Sequence, residues 1–225
     1  MSVRGKTTDL NRVPLEKIRK VQERLVDWGK NNYSEFPWRS TSNLFHALVA
    51  EIMLQRTRAE QVLVVYEEFV KKYPTVETAA MESPDNLRKL LRPLGLRWRT
   101  EMILELVECL ASGTNILVRR DEFSKLPGVG LYVKNILLST KLGVKAPVID
   151  RNAVRLWSRI FGFNVDAETQ KKRWFVELAG RLTPDNDFKQ FNFALLDFTR
   201  NVCRPKPKCS ICPLTSFCSY FYGRK

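Results

Sequence analysis

Leu126-Pro127-Gly128-Val129-Gly130-Leu131-Tyr132 is the stretch on which the reading of this chain turns. Two glycines flank a single apolar residue directly after a proline, and a helical pattern starts at Leu131. A turn of this kind points successive backbone N–H groups outward at a helix N-terminus. Those groups bind an anion such as a phosphate without help from a side chain, and the helix dipole favours the negative charge. Gly128 and Gly130 are therefore candidate phosphate contacts. The same residues also suit a plain connection between helices, because Pro-Gly is common in turns. The neighbouring sequence has to decide between the two.

Outward from this turn the periodicity is almost wholly helical. Residues 15–30 place Leu15, Ile18, Val21, Leu25 and Trp28 on one face. Further helices are predicted at 44–56, 60–72, 86–92, 99–112, 131–142, 151–161, 168–182 and 188–202. In the last, Phe188, Phe191, Leu195, Phe198 and Val202 form a stripe that reads as core rather than as a base-stacking platform. Pro74, Pro84, Pro93, Pro127, Pro147 and Pro184 fall between these stretches, where a missing N–H does least harm. No internal repeat interrupts the pattern, and the alternation of half-buried strands is missing, which speaks against Rossmann and immunoglobulin-like folds. The fold class is all-α.

The charge balance points to a partner. The 225 residues carry 38 Lys and Arg against 24 Asp and Glu, a formal charge of +14. With 44% hydrophobic residues the chain is globular rather than disordered. A polyanion, most simply nucleic acid, is the expected partner. Apolar runs such as Val62-Leu63-Val64-Val65 are too short to span a membrane. The polar first thirteen residues do not resemble a secretion signal, so an intracellular place, cytoplasm or nucleoid, is expected. One histidine, His46, argues against a histidine-rich metal site or a Ser-His-Asp site, and it reads as an ordinary helix residue.

The five cysteines divide unevenly. Cys109 sits at helical spacing with Met102, Ile103, Leu106 and Leu110 and reads as a small packing residue. Cys203, Cys209, Cys212 and Cys218 lie within sixteen residues in the pattern C-x5-C-x2-C-x5-C. Four thiolates so spaced suit structural zinc or a [4Fe–4S] cluster, and spacing alone leaves both open. Paired disulfides would fit a secreted chain better.

Two carboxylates stand out. Asp150, eighteen residues after Tyr132, directly precedes a helical pattern carrying Val154, Trp157, Ile160 and Phe161. It can cap that helix and still act in chemistry. Glu51 lies within the apolar run Glu51-Ile52-Met53-Leu54, where a carboxylate is costly unless paired or functional. Its plainer reading is a residue on a helix surface.

Taken together, the Leu-Pro-Gly-Val-Gly hairpin, the aspartate beyond it and the four-cysteine C-terminal loop resemble the helix–hairpin–helix DNA glycosylases of the endonuclease III superfamily. The resemblance runs from about Phe36 to Cys218. It implies two helical domains with a DNA-binding cleft between them. One is a six-helix domain at 40–145 containing the hairpin, and the other is a helical cluster domain at 1–39 and 146–225. It implies a [4Fe–4S] cluster on Cys203, Cys209, Cys212 and Cys218, although Arg204–Lys208 puts five residues between the first two cysteines where the family usually has six. That departure alters a loop rather than ligation. The implied partner is double-stranded DNA with a mismatched or damaged base, bound by a monomer.

The resemblance also assigns roles. Bifunctional members carry a lysine at the position held here by Tyr132, and that lysine forms a Schiff base with the sugar. A phenol cannot, and Lys134 points to another side of the helix. Hydrolysis with little or no strand cleavage is therefore expected. Glu51 matches the catalytic glutamate shared by adenine and thymine-mismatch glycosylases, and Phe36-Pro37-Trp38-Arg39 is similar to both. In the expected chemistry Asp150 stabilises positive charge on the sugar, Glu51 handles a proton, and Tyr132 lines the pocket for a base flipped out of the stack.

Three features lean towards thymine or uracil opposite guanine. Gln55-Arg56-Thr57 has the arginine that thymine-mismatch enzymes favour. Gly95-Leu96 is followed by Arg97-Trp98-Arg99 rather than by the Gly-Tyr-Tyr wedge of adenine enzymes. Only seven residues follow Cys218, which leaves no room for the further C-terminal domain of the adenine enzymes. Trp98 then fills the gap left by the flipped base, flanked by phosphate-binding Arg97 and Arg99; otherwise it is a packing tryptophan. Gln55, Arg56, Lys206 and Lys208 complete the expected DNA contacts, with Arg200 and Arg204 beside the cysteine loop. Adenine opposite guanine or oxidised guanine is the alternative. A second alternative is a module that binds DNA structure without chemistry, for which Glu51 and Asp150 would be unnecessary.

Overall fold

A computed structural model describes residues 13–113 and 120–223. In chain order the helices are α1 (Leu15–Lys30), α2 (Pro37–Ser40), α3 (Leu44–Met53), α4 (Ala59–Lys72), α5 (Val76–Ala80) and α6 (Pro84–Leu91). They continue with α7 (Arg97–Ala111), α8 (Leu131–Lys141), α9 (Arg151–Phe161), α10 (Arg173–Leu182), α11 (Phe188–Asn201) and α12 (Ser219–Tyr222). The described residues contain no strand. They form two compact units, one within 35–142 and one of 13–34 with 143–223.

The unit Glu35–Leu142 is built around α3, whose sequence LFHALVAEIM is apolar on nearly every side. A helix apolar all round can only be stable when surrounded, and Leu48, Val49, Ala50, Ile52 and Met53 are fully buried against α4, α7 and α8. Asn43 caps α3 by accepting the His46 N–H at 3.2 Å. The predicted helix 44–56 stops at Met53, because Arg56 adopts a left-handed backbone (φ +59°) that no helix continues through. His46 is buried and its Nε2–H donates to the Tyr73 carbonyl at 2.8 Å, a structural role. Cys109 is half-buried at the edge of this core.

In the other unit α1 packs along α11, where Trp28 meets Phe198 edge-on at 5.1 Å. Phe191, Leu195 and Phe198 of the predicted stripe are buried, and Trp157 of α9 stacks on Phe191. Gly29 allows α1 to approach closely: a Cβ there would stand 2.8 Å from that of Ala194. The predicted helix 168–182 is broken, with a 3-10 turn at Thr169–Lys171 and α10 starting only at Arg173. The charged run Lys171, Lys172 and Arg173 lies at the surface in ion pairs with Glu168, Asp166 and Glu177.

Candidate functional site

Glu51 is the one acidic residue of α3 and is half-buried between the buried Ala50 and Ile52. Its Oε2 is shielded from solvent and has no hydrogen-bond partner, while the Tyr132 hydroxyl donates to the carboxylate. Burial pushes the carboxyl up to about 7, against the opposing influence of the Arg39 and Lys141 cations and the Tyr132 hydrogen bond. A carboxyl poised near neutrality, with one oxygen unspent, can hold or give up a proton at ordinary pH. Arg39 comes from α2, which the burial of Trp38 fixes: Trp38 meets Tyr66 edge-on at 5.4 Å and stacks on Phe36 at 4.6 Å. Thus the Phe36–Arg39 segment packs in the unit of Glu51 rather than with the N-terminal helix.

The hairpin leads from a 3-10 helix, Arg120–Lys125, into α8. Gly128 adopts φ +79°, and a Cβ there would stand 2.6 Å from Met102 Sδ and 2.9 Å from Ile52 Cδ1. Both conformation and space therefore require glycine. Gly130 is exposed, precedes α8 without any side-chain cap, and has nothing within 4 Å of its would-be Cβ. The first N–H groups of α8 lack intrahelical acceptors, as at every helix start. Gln55 Nε2 donates to the Gly128 carbonyl at 3.1 Å, which joins the loop after α3 to the hairpin. Arg56, Arg97 and Trp98 are exposed, Trp98 at 41%.

Arg99 departs from expectation. It is wholly buried, and its guanidinium donates to the carbonyls of Met53 (2.9 Å), Gln55 (2.5 Å) and Leu94 (2.6 Å) and to Thr57 Oγ1 (2.6 Å). A cation held by four internal oxygens is not presented to a phosphate. It instead fixes the 53–57 loop that carries Gln55 and Arg56.

In the other unit Asp150 caps α9, accepting the Ala153 N–H through Oδ1 at 2.6 Å. Its Oδ2 accepts from Asn152 at 2.9 Å, Asn152 Oδ1 accepts from Arg155 at 2.7 Å, and Arg155 Nε donates to the Cys203 carbonyl at 3.0 Å. A continuous chain of hydrogen bonds thus runs from Asp150 to the first cysteine of the loop. Cys203, Cys209, Cys212 and Cys218 are unpaired thiols lining one pocket with Leu156, Ile160 and Leu214. Burial, then the neighbouring thiols, push Cys212 up to about 11. Among the described residues no group of three or more His, Cys, Asp or Glu is arranged to hold a single metal ion. Arg159 holds the first cysteine loop, donating to the carbonyls of Arg204 (2.7 Å) and Pro205 (2.9 Å). Arg204, Lys206 and Lys208 are exposed on that loop. Arg200 is instead tied back to Ser34 at 2.5 Å and paired with buried Asp197 at 3.5 Å.

The sequence model of the HhH-GPD superfamily of base excision DNA repair proteins matches residues 49–178, more than half of the chain. The chain belongs to this superfamily. It is 34% identical over 215 residues to the thymine-DNA glycosylase of Aeropyrum pernix, covering 91% of this chain and 96% of that relative. An adenine DNA glycosylase of Buchnera aphidicola subsp. Baizongia pistaciae is 29% identical over 192 residues, 84% of this chain but 54% of the relative. The solved structure of a thermostable thymine-DNA glycosylase superposes with a TM-score of 0.86 at 30% identity, covering 92% of this chain and 98% of that one.

As a superfamily member the chain has its matched region spanning α3, the hairpin, α8 and α9, and so Glu51, Tyr132 and Asp150. The structure joins Glu51 to Tyr132, and Gln55 to Gly128, within one unit. Asp150 and the four cysteines belong to the other. Sequence reading missed Lys141, Asn152, Arg155 and Arg159 as participants. Arg155 and Arg159 stand at i and i+4 on α9, on the side of the helix turned to the cysteine loop, a spacing visible beforehand. No described helix is long and apolar enough to cross a membrane.

Proposed function

We propose that this chain is a monofunctional DNA glycosylase that removes thymine or uracil opposite guanine by hydrolysing the N-glycosidic bond. The observation that carries this reading is Glu51: a buried carboxyl poised at about 7, with a free oxygen, touched by a phenol where lyases place a lysine. Near pH 7 about half of such carboxyls are protonated, which suits a proton donor to a departing base. Asp150, held by the α9 N-terminus and Asn152, is assigned to stabilise the positive charge that develops on the sugar. Tyr132 orients the sugar or the extruded base. Thymine and uracil differ by one methyl group, so a pocket that admits the first has room for the second. The Aeropyrum relative and the Arg56 before Thr57 favour this pair of bases.

The four thiols fit a [4Fe–4S] cluster as ligands. They line one shared, largely apolar pocket, and the family resemblance favours the cluster over zinc. Cys203, Cys209, Cys212 and Cys218 would hold the cluster, whose role would be to hold in place the loop that carries Lys206 and Lys208. Equimolar iron and acid-labile sulfide in purified protein is the expected analysis, and zinc without sulfide would overturn the assignment.

A second reading, adenine opposite guanine or oxidised guanine, draws on the Buchnera relative. Duplexes carrying T·G, U·G, A·G and A opposite oxidised guanine separate the readings after alkali treatment. Breaks in T·G and U·G are expected, breaks in the adenine duplexes alone would favour the second reading, and tight binding with no break in any duplex would make the chain a DNA-binding module.

A further inference from the structure

Lys141, the last residue of α8, is half-buried although lysine is among the residues most often left in water. Its Nζ donates to the Arg39 carbonyl at 3.0 Å and to the Thr41 carbonyl at 2.7 Å. These are carbonyls at the C-terminal end of α2, where unsatisfied oxygens and the helix dipole favour a cation. A helix of four residues cannot hold its own geometry. Trp38 anchors it in the core, and Lys141 ties down the end that carries Arg39. The titratable groups acting on Glu51 are Arg39 from α2, and Lys141 and Tyr132 from α8. One ammonium thus fixes the backbone of one charged neighbour of Glu51 and is itself another.

We propose that Lys141 is a positioning residue for Glu51: it holds the Arg39 segment against α8 and, with Arg39, sets the positive field that the carboxyl faces. The inference rests on the acid–base role given to Glu51, but it is a statement about the carboxyl's surroundings and can be read without turnover. Loss of the ammonium removes one cation and loosens the segment that bears the other. Both changes disfavour the carboxylate, so the carboxyl must hold its proton to higher pH. As a proton donor it would then stay active further into alkaline solution.

The test uses the full chain with Lys141→Gln and Lys141→Arg, each checked for folding by thermal melting. The Glu51 carboxyl is titrated by carbon-13 NMR, its signal assigned by its loss in Glu51→Gln, and single-turnover base release from a T·G duplex is followed from pH 5.5 to 9. In Lys141→Gln the titration midpoint should rise by about 1 pH unit or more, and the alkaline limb of the rate profile should move with it. Lys141→Arg, which keeps charge and donors, should restore both. A Gln variant that melts lower but titrates at the wild-type pH would reduce Lys141 to a structural tie and overturn the proposal. Equal shifts in the Gln and Arg variants would overturn it too. Lys141→Met replaces the Gln variant should that fail to fold. Absence of base release by the wild-type chain would refute the glycosylase reading, while the NMR titration would still decide Lys141.

Discussion

Replacing Glu51 by Gln should stabilise the protein and abolish its activity, and the stabilisation should depend on pH in a calculable way. The folded chain holds the Glu51 carboxyl at about 7, against 4.5 for the unperturbed group. Because the folded value is the higher one, the folded state binds the proton more tightly. The contribution to stability is complete below about pH 4.5 and is lost as the pH rises through 7. A difference of that size corresponds to about 3 kcal/mol at alkaline pH. Gln keeps the shape and an oxygen that can accept from Tyr132, but it never ionises. Between pH 5 and pH 8.5 the stability of Glu51→Gln relative to wild type should therefore grow by about 2 to 3 kcal/mol. For a chain of this length that is a gain of roughly 5 to 10 °C in melting temperature at pH 8.5 and little change at pH 5. Melting curves at the two pH values provide the assay. Base release should fall at least about 100-fold at either pH. A stability difference that is the same at pH 5 and pH 8.5 would refute the argument, because it would mean that Glu51 titrates as an ordinary surface carboxyl.

The other machinery makes separate predictions. Borohydride should trap no covalent DNA adduct with wild type, and Tyr132→Lys should yield one; an adduct through Lys125 or Lys134 of the wild-type chain would contradict the monofunctional assignment. Asp150→Asn should keep the α9 cap, since Asn caps as well as Asp, and so melt close to wild type and bind DNA while losing most turnover. Full activity in that variant would remove Asp150 from the chemistry. Ala at Lys206 or Lys208 should weaken binding to all duplexes alike and lower the slope of log affinity against log salt by about 1 each. A changed base preference with an unchanged slope would contradict the phosphate role.

Much of this was legible in the residues. Long helices announce themselves by period, and α1, α9 and α11 stand where the apolar stripes put them. Helices of four or five residues, such as α2, α5 and α12, complete too little of a period to be seen. The over-extension of 44–56 has a cause invisible to hydropathy, the left-handed Arg56 held within the Arg99 clamp. Glu51 was conspicuous because a carboxylate in an apolar run needs a reason. The cations around it were not, since Arg39 and Lys141 are about a hundred residues apart in sequence and meet only through the packing of α2 and α8. Arg99 shows the opposite failure. Beside Arg97 and Trp98 it reads as a surface cation, and only the fold reveals four oxygens waiting for it.

In the proposed reaction the chain cuts a base from its sugar with water and leaves the strand whole. Mass spectrometry of the products from a T·G duplex tests it directly. Free thymine is expected in equal amount to abasic sites, with strand breaks appearing only after alkali. Breaks without alkali, or bound duplex from which no free base is released, would contradict it.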